Sequence, residues 1–109
     1  MLVVRDMPLK NEFWCKVSKT KTDFIVAICD KELLGKKIKV DKDFSIHIAE
    51  IFYKERLISD VEAKELMSKA TILNLFGEKI VKLAVETGII SLDNVIYFDG
   101  VPHAQYIKI

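Results

Sequence analysis

The sequence predicts an α+β domain, with a mainly antiparallel sheet and two helices packed on one side of it. Short apolar segments of strand length occur near both ends of the chain, and two amphipathic helical patterns lie between them. No repeat, low-complexity segment or linker interrupts the 109 residues, which indicates a single domain over residues 1–109. The predicted order of elements is β-β-turn-β-β-α-α-β-β.

The first two strands are predicted to form a hairpin. Residues 13–18 alternate between a drier and a wetter face, whereas residues 24–29 are apolar on both faces, as in a central strand. The polar residues between these segments are typical of a turn. Folding the hairpin about residues 20–21 places Cys15 opposite Val26, so a disulfide between the two cysteines is not expected.

A single helical turn and two short strands are predicted to follow. Asp30 can cap the helical turn, which Gly35 ends, and the strands lie at residues 36–40 and 44–48. The second strand alternates, so that His47 faces solvent. Ser45 is expected to face solvent as well, whereas Phe44, Ile46 and Ile48 are expected to face the core.

Two helices are predicted after these strands. A capping box starts the first helix, because Ser59 and Glu62 can each bond the backbone N–H of the other. Apolar residues then recur at helical spacing: Ala63, Leu66, Met67 and Ala70. The second helix ends at Gly88. Residues 71–77 stay open between two interpretations, because Gly77 and the β-branched residues favour a break whereas the apolar spacing favours a continuous helix.

The end of the chain contains the first candidate site, residues 100–105 with the sequence GVPHAQ. Strands are predicted on either side of it, at 94–98 and 106–109. Pro102 stiffens the segment, and His103 and Gln105 point to one face of it. An imidazole beside a carboxamide suits polar recognition of a base edge, a phosphate or a main chain, or general base chemistry. The alternative is that both side chains bond nearby backbone and lock the terminal strand.

Cys29 and Asp30 form a second candidate site. A cysteine at the end of a strand could act as a nucleophile with His103 as its base, and Asp30, Asn74 or Gln105 could orient that base. The alternative is that Cys29 is a small core residue. The cysteines and histidines are too irregularly spaced for a zinc site, and no cofactor-binding motif occurs, so neither a metal nor a cofactor is expected.

Aromatic and basic residues are interleaved in residues 51–57, IFYKERL. Tyr53, Lys54 and Arg56 could bind a nucleic acid there, since aromatic rings stack on bases and cations hold phosphates. The alternative is that Phe52 anchors the chain in the core while Tyr53 packs under the loop.

Charge and composition limit the kinds of function that the protein can have. The 17 basic and 16 acidic side chains give a net charge of +1, which is unlike a protein that coats nucleic acid. Lysines concentrate in the first half of the chain, where they form either a modest basic face or an ordinary solvated surface: Lys10, Lys16, Lys19, Lys21, Lys36, Lys37, Lys39 and Lys42. Two cysteines and the absence of a recognisable signal peptide or membrane span predict a cytoplasmic protein. The abundance of Lys, Glu and Ile favours a heat-adapted source.

Four stretches of the chain resemble an archaeal family known as domain of unknown function 424: VAICDKELLGK (26–36), IFYKERLIS (51–59), ATILNLFGEKIVKLAVETG (70–88) and VIYFDGVPHAQ (95–105). The resemblance covers about residues 12–105, and residues 1–11 look like an N-terminal extension. It implies an archaeal cytoplasmic protein associated with translation, with no assigned activity. It also implies one cluster of polar residues: Cys29, Asp30, Asn74, Glu78, His103 and Gln105.

Two hypotheses for the function follow. The first is a non-enzymatic binding module that acts in translation through contacts with RNA, the ribosome or a protein partner. Its candidate binding residues are His103, Gln105, Asn74, Glu78, Tyr53, Lys54 and Arg56. The second is a small enzyme that uses Cys29 and His103. No membrane partner is expected under either hypothesis, and the oligomeric state is left open.

Overall fold

A computed structural model describes residues 11–108, which form a six-stranded sheet, a separate two-stranded sheet and three α-helices. The strands are β1 Glu12–Lys19, β2 Phe24–Asp30, β3 Lys37–Lys39, β4 Ser45–His47, β5 Arg56–Ser59, β6 Ile72–Phe76, β7 Ile96–Phe98 and β8 Val101–Ile107. The helices are α1 Glu50–Tyr53, α2 Asp60–Lys69 and α3 Glu78–Glu86. The predicted N-terminal extension lies outside the described residues, except for Asn11.

The large sheet has the strand order β5-β1-β2-β6-β8-β7. All neighbours in it are antiparallel except β2 and β6, which are parallel. The small sheet is the antiparallel hairpin β3–β4. The predicted α+β class, with a mainly antiparallel sheet, is therefore confirmed.

The two faces of the large sheet are covered differently. Helices α2 and α3 both pack on one face, called here the helix face, as predicted; the core there includes Phe13, Ile28, Met67, Leu75 and Ile80. The β3–β4 hairpin and α1 pack on the opposite face, called here the hairpin face. The smaller core beneath them contains Ala27, Cys29, Ile38, Ile48, Tyr53 and Phe76. The hairpin covers only the half of this face that surrounds Cys29 and Phe76.

The β1–β2 hairpin forms as predicted, but its predicted register is wrong by two residues. Cys15 lies opposite Ile28 rather than Val26. The reason is a longer turn, in which the Thr20 hydroxyl accepts hydrogen bonds from the backbone N–H groups of Thr22 and Asp23. A shift of two residues keeps every side chain on its face. The Cys15 side chain therefore lies on the helix face and the Cys29 side chain on the hairpin face. Both thiols are buried, and neither forms a disulfide.

Residues 71–77, left open by the sequence, contain the central strand β6. It lies between β2 and β8 and is parallel to β2, so the chain runs α2-β6-α3 and not from helix to helix. Leu73 and Leu75 are buried on the helix face, and Phe76 is buried on the hairpin face. Burial on both faces gives an apolar pattern that periodicity does not distinguish from a buried helix.

The two predicted helices are confirmed as α2 and α3, whereas the short helix α1 was not predicted. The Ser59 hydroxyl accepts from the Glu62 N–H at 3.3 Å, and the Ser59 N–H donates to the Glu62 carboxylate at 3.1 Å, which completes the capping box. Of the predicted apolar stripe on α2, Ala63 and Met67 are fully buried. Gly88 follows the end of α3 with a φ of +79°.

The small β3–β4 hairpin confirms the two predicted short strands, with His47 exposed and Ile48 buried. The inward orientation predicted for Phe44 is wrong, since this side chain is 68% exposed. Phe44 precedes the ladder and belongs to the turn, where its carbonyl accepts from the N–H groups of Val40 and Asp41. Side chains in such a turn no longer alternate between two faces.

The segment GVPHAQ lies largely within β8, which starts at Val101 and not at the predicted residue 106. The turn before it, at Asp99 and Gly100, has positive φ at both residues, as a two-residue hairpin turn requires. The Val101–Pro102 peptide bond is trans. The predicted extended conformation, with His103 and Gln105 on one face, is confirmed; that face is the hairpin face, because His103 lies opposite Phe76.

Candidate functional site

Three of the predicted binding residues meet at the border between the covered and the open half of the hairpin face. The Tyr53 hydroxyl, at the end of α1, donates to Asn74 Oδ1 on β6 at 2.8 Å. Gln105 lies directly opposite Asn74 on the neighbouring strand β8. Directly paired residues on one face of a sheet have their Cβ atoms about 5 Å apart. Tyr53, Asn74 and Gln105 therefore form a contiguous polar group, called here the amide cluster.

Tyr53 fixes the orientation of the Asn74 carboxamide. Tyr53 is only 4% exposed, and burial raises the pKa of its hydroxyl, so the phenol stays neutral and donates its proton. With Oδ1 engaged by this hydroxyl, the Nδ2 group of Asn74 is left to donate to another partner. The Asn74 side chain makes no other hydrogen bond within residues 11–108. The Gln105 side chain is exposed, and it too has no hydrogen-bond partner among these residues.

A groove begins beside the amide cluster and runs over the open half of the hairpin face. It has a volume of about 220 Å³. Its floor and walls come from strands β1, β2 and β6 and from α1: Lys16, Ser18, Ile25, Ala27, Ile51, Phe52, Ile72 and Asn74. Ala27, between Lys16 and Asn74 in the sheet, leaves the floor low. The groove therefore combines an apolar floor, an aromatic wall and polar groups at its ends.

Helix α1 provides the aromatic wall of the groove. The burial of one of its two aromatic residues, Phe52, differs from what one interpretation of residues 51–57 predicts. Phe52 was expected to anchor the chain in the core, but its ring is 58% exposed and lies on the groove. Tyr53 fills the core instead, and its packing under the loop is confirmed. The two rings meet edge to face with centroids 5.6 Å apart, so the buried ring supports the exposed one.

His103 lies in an aromatic setting. Its ring centroid is 4.7 Å from that of Phe76 and 6.0 Å from that of Phe98. Burial lowers the pKa of its imidazole, which favours the neutral ring. The side chain makes no hydrogen bond within the described part of the chain. His103 therefore packs beside the amide cluster, and the prediction that it bonds nearby backbone is not seen in these residues.

The structure separates Cys29 from His103. Phe76 lies between them in the sheet, paired with Cys29 on one side and with His103 on the other. Two strand spacings of about 4.8 Å put roughly 10 Å between the two backbones. Cys29 has no solvent exposure, and burial raises the pKa of its thiol to about 12. The predicted Cys29–His103 contact is thus corrected, because the strand that carries Phe76 was not recognised between them.

Asp30 caps a different helix from the predicted one. It does not cap the 3₁₀ turn Lys31–Leu33. Its carboxylate instead accepts the backbone N–H groups of Lys79 and Ile80 at 2.9 Å each, and so caps α3. Desolvation raises the pKa of this buried carboxyl, although the two amides act in the opposite direction. Asp30 is therefore held by the first turn of α3 and is not oriented towards His103.

The remaining predicted binding residues lie away from the amide cluster. Glu78 is exposed at the start of α3, beside a depression of about 490 Å³ between that helix and the β7–β8 hairpin. Arg56 binds Glu62 at 3.2 Å on the side of α2. Lys54 lies 3.9 Å from Glu50, and its ammonium is 5.5 Å from the centroid of the Trp14 ring. The candidate site predicted from the sequence therefore divides into the amide cluster and several separate surface groups.

Four lysines from the first half of the chain lie on the hairpin side of the molecule, and one of them, Lys16, lines the open groove. Lys16 is held at the groove by a hydrogen bond from its ammonium to the Ile51 carbonyl at 2.8 Å. Lys37 and Lys39 flank buried Ile38 on β3, so alternation points both away from the sheet. Neither they nor Lys42 forms an ion pair within residues 11–108. The lysine-rich half of the sequence thus supplies a basic surface on the same side as the groove.

Sequence reasoning missed most of the groove. Ile25 and Ile72 were assigned to strands or left open, with no sign that they remain half exposed. Lys16 appeared only as one of many lysines. A strand with apolar residues on both faces does not indicate which stretch the rest of the chain will cover. The residues Phe52 and Asn74 did carry a signal, as an aromatic beside cations and as a polar residue in an apolar segment.

Residues 11–108 were also compared with the requirements of a membrane-spanning helix and of a metal site, and they meet neither. None of their helices is long and apolar enough to cross a membrane. They contain no group of three or more His, Cys, Asp or Glu side chains placed to hold a metal ion.

Comparison with known proteins gives a family and a fold relative. A family model described as a protein of unknown function (DUF424) matches residues 18–109. A crystal structure of an uncharacterized conserved protein from Methanopyrus kandleri is similar, with 27% sequence identity and a TM-score of 0.73 over 86% of this chain and 89% of that one. No curated protein matches the chain.

Proposed function

This chain belongs to the DUF424 family of proteins of unknown function, and from its geometry we propose that it is a non-enzymatic module that binds RNA in translation. The observation that carries the proposal is the composition of the hairpin face. Hydrogen-bond donors and lysines that have no partner within residues 11–108 lie there on one side of the molecule, together with an exposed aromatic ring. These are the three kinds of group that RNA-binding surfaces combine.

The distribution of charge also favours the hairpin face as the side that binds RNA. Residues 36–54, which build the hairpin and α1, contain five lysines and three carboxylates. Residues 60–86, which include both helices of the helix face, contain four lysines and five carboxylates. A net charge of +1 for the whole chain is therefore compatible with one basic side, and lysines there would release counterions from a bound phosphate backbone.

The proposal places the protein in the cytoplasm of an archaeal cell, with the ribosome or a ribosomal RNA as its partner. The archaeal neighbour and the lysine-rich, cysteine-poor composition support this placement. The same composition supports a heat-adapted source.

The test is sedimentation of the protein from a cell extract on a sucrose gradient at low and at high salt. We expect it to travel with ribosomal particles at low salt and to leave them at high salt, because phosphate contacts weaken steeply as salt rises. A double variant of the β3–β4 hairpin, Lys37→Gln with Lys39→Gln, should leave the particles at a lower salt concentration than the unaltered protein does. The matched control, Lys64→Gln with Lys82→Gln, removes the same charge from the helix face and should behave like the unaltered protein.

Two results would contradict this function. The protein could remain at the top of the gradient at both salt concentrations, which would exclude association with ribosomal particles. It could also stay on the particles after ribonuclease treatment, independently of salt, in which case protein contacts and not RNA would hold it.

A further inference from the structure

We infer that the groove on the hairpin face is a binding site for one unpaired nucleobase of single-stranded RNA. This inference rests on the proposed function and specifies what the open half of the sheet recognises. Its occupant is a base, because the groove offers an apolar floor, a ring for stacking and amide groups, whereas phosphates require only cations.

The size of the groove fits a single ring system. Ligand sites for drug-sized molecules usually have about 300–1,000 Å³. The groove has about 220 Å³, so it accommodates a flat ring and leaves the sugar and phosphate outside. Ala27 and the half-exposed Ile25 and Ile72 give a floor without polar atoms, on which a base can lie flat.

Phe52 supplies the stacking surface. Its ring is 58% exposed, lines the groove and is held by the edge-to-face contact with buried Tyr53. An exposed phenylalanine costs hydration free energy, which stacking on a base would recover. Because the supporting ring is in the core, little conformational entropy is lost when a base binds.

The amide cluster supplies the polar contacts. The Tyr53 hydroxyl donates a hydrogen bond to Asn74 Oδ1. The two N–H groups of Asn74 are therefore left to donate to a ring nitrogen or carbonyl of the base. Gln105, opposite Asn74, can donate or accept beside it. Paired amide groups of this kind read base edges, and they carry no charge that would favour a phosphate.

The charges around the groove fit a polyanion. The Lys16 ammonium is fixed by the Ile51 carbonyl and retains two further N–H groups for a phosphate at the edge of the groove. The nearby carboxylates are already engaged: Glu50 lies beside the Lys54 ammonium, and Glu55 accepts the backbone N–H of Val17. A strand of RNA can thus place a base in the groove and its backbone beside cations.

The test measures the affinity of the protein for RNA of about ten nucleotides by fluorescence anisotropy. Three probes are used at equal salt: single-stranded RNA, the same sequence as a duplex, and an abasic ribose-phosphate chain of equal length. A site for an unpaired base predicts that the single strand binds at least about tenfold more tightly than either of the others. If the protein were attracted to phosphates alone, it would bind the duplex more tightly than the single strand, because the duplex has the higher charge density.

Matched variants locate the site. Phe52→Ala should weaken binding of the single strand about tenfold, and Asn74→Asp should do so as well because it replaces donors by acceptors yet keeps the acceptor for Tyr53. The control for the first variant is Tyr97→Ala, an aromatic residue 60% exposed on the helix side of β7. The control for the second is Asn94→Asp, which adds the same charge outside the groove. Thermal unfolding of each variant verifies that it is folded.

The outcomes separate this inference from the proposed function. Equal binding of single strand and duplex, unchanged in Phe52→Ala and Asn74→Asp, would overturn the base site and leave RNA binding intact. No binding of any RNA probe at low salt would overturn both. If the protein associates with itself and Phe52→Ala abolishes that association, the groove is covered by a second copy and the base site is wrong.

Discussion

The carboxylate of Asp30 occupies the space that a side chain on Gly77 would need. A Cβ atom at position 77 would meet the carboxyl carbon and both oxygens of Asp30. Gly77 also has a φ of +126°, in a region that residues with a side chain rarely adopt. This close approach lets the carboxylate reach the first free amides of α3, those of Lys79 and Ile80, and so joins the end of β2 to the start of that helix.

Gly77→Ala is therefore expected to lower the free energy of unfolding by about 3 kcal/mol, since backbone strain and displacement of the cap act together. Urea unfolding followed by circular dichroism measures the change. Gly88→Ala is the matched control, because Gly88 also has positive φ but nothing within 4 Å of its added Cβ. Its cost should be about 1 kcal/mol. Equal losses in the two variants would show that the contact with Asp30 contributes nothing.

His103 should make stability depend on pH below neutrality. Burial lowers the pKa of its imidazole in the folded protein, so the unfolded chain binds the proton more readily. Stability from this group is fully present above about pH 6.5 and is lost as the pH falls through the folded pKa. We expect the free energy of unfolding to decrease from about pH 7 to pH 5 in the unaltered protein, and to decrease less in His103→Asn.

The exposed His47 provides the control for this measurement. His47→Asn removes a histidine that lies on the outer side of the hairpin, so it should leave the pH dependence unchanged. If His103→Asn retained the full pH dependence, other groups would be responsible and the half-buried imidazole would not be the cause.

Local signals in the sequence predicted much of the fold. The capping box at Ser59 and Glu62, the alternation after residue 44 and the Asp99-Gly100 turn each depend on residues close together in the chain. The predictions failed where the structure is decided over longer distances. The β1–β2 register depends on a longer turn, and β6 is a strand because β2 and β8 flank it.

The candidate site shows the same division. The common face of His103 and Gln105 follows from the period of a strand and was predicted. The partners of these residues were not, because Asn74 faces Gln105 only once β6 is placed beside β8. Asp30 was grouped with them as a polar residue, yet its partners are amides about fifty residues away. No pattern near Asp30 indicates which helix it caps.

Cys29 should react slowly with alkylating agents. Its thiol is fully buried and burial raises its pKa to about 12, so almost no thiolate is present at neutral pH. In Cys15→Ser, where Cys29 is the only thiol, we expect alkylation by iodoacetamide to be far slower in the folded protein than in urea. Cys29→Ser provides the comparison, because Cys15 is equally buried and its pKa is raised to about 11.

A second variant makes this result decisive for the enzyme hypothesis. If Cys29 were activated by a base, alkylation would be fast and His103→Ala would slow it. We expect the rate in Cys15→Ser to be the same with and without His103→Ala, because Phe76 lies between the two residues. A fast reaction that depends on His103 would show that the two side chains meet in solution and would restore the hypothesis.

Tyr53→Phe should separate the two roles of the hydrogen bond between Tyr53 and Asn74. Removing the hydroxyl leaves Asn74 Oδ1 without its donor, which should lower the free energy of unfolding by about 1 kcal/mol. The carboxamide of Asn74 is then free to rotate and no longer presents only donors to the groove. Affinity for single-stranded RNA should therefore fall several-fold, while affinity for the abasic chain stays the same. Tyr106→Phe, a half-buried tyrosine without such a bond among residues 11–108, should change neither quantity. Loss of stability with unchanged RNA affinity would mean that the hydrogen bond supports only the fold, and that the orientation of Asn74 is not what the groove uses to recognise a base.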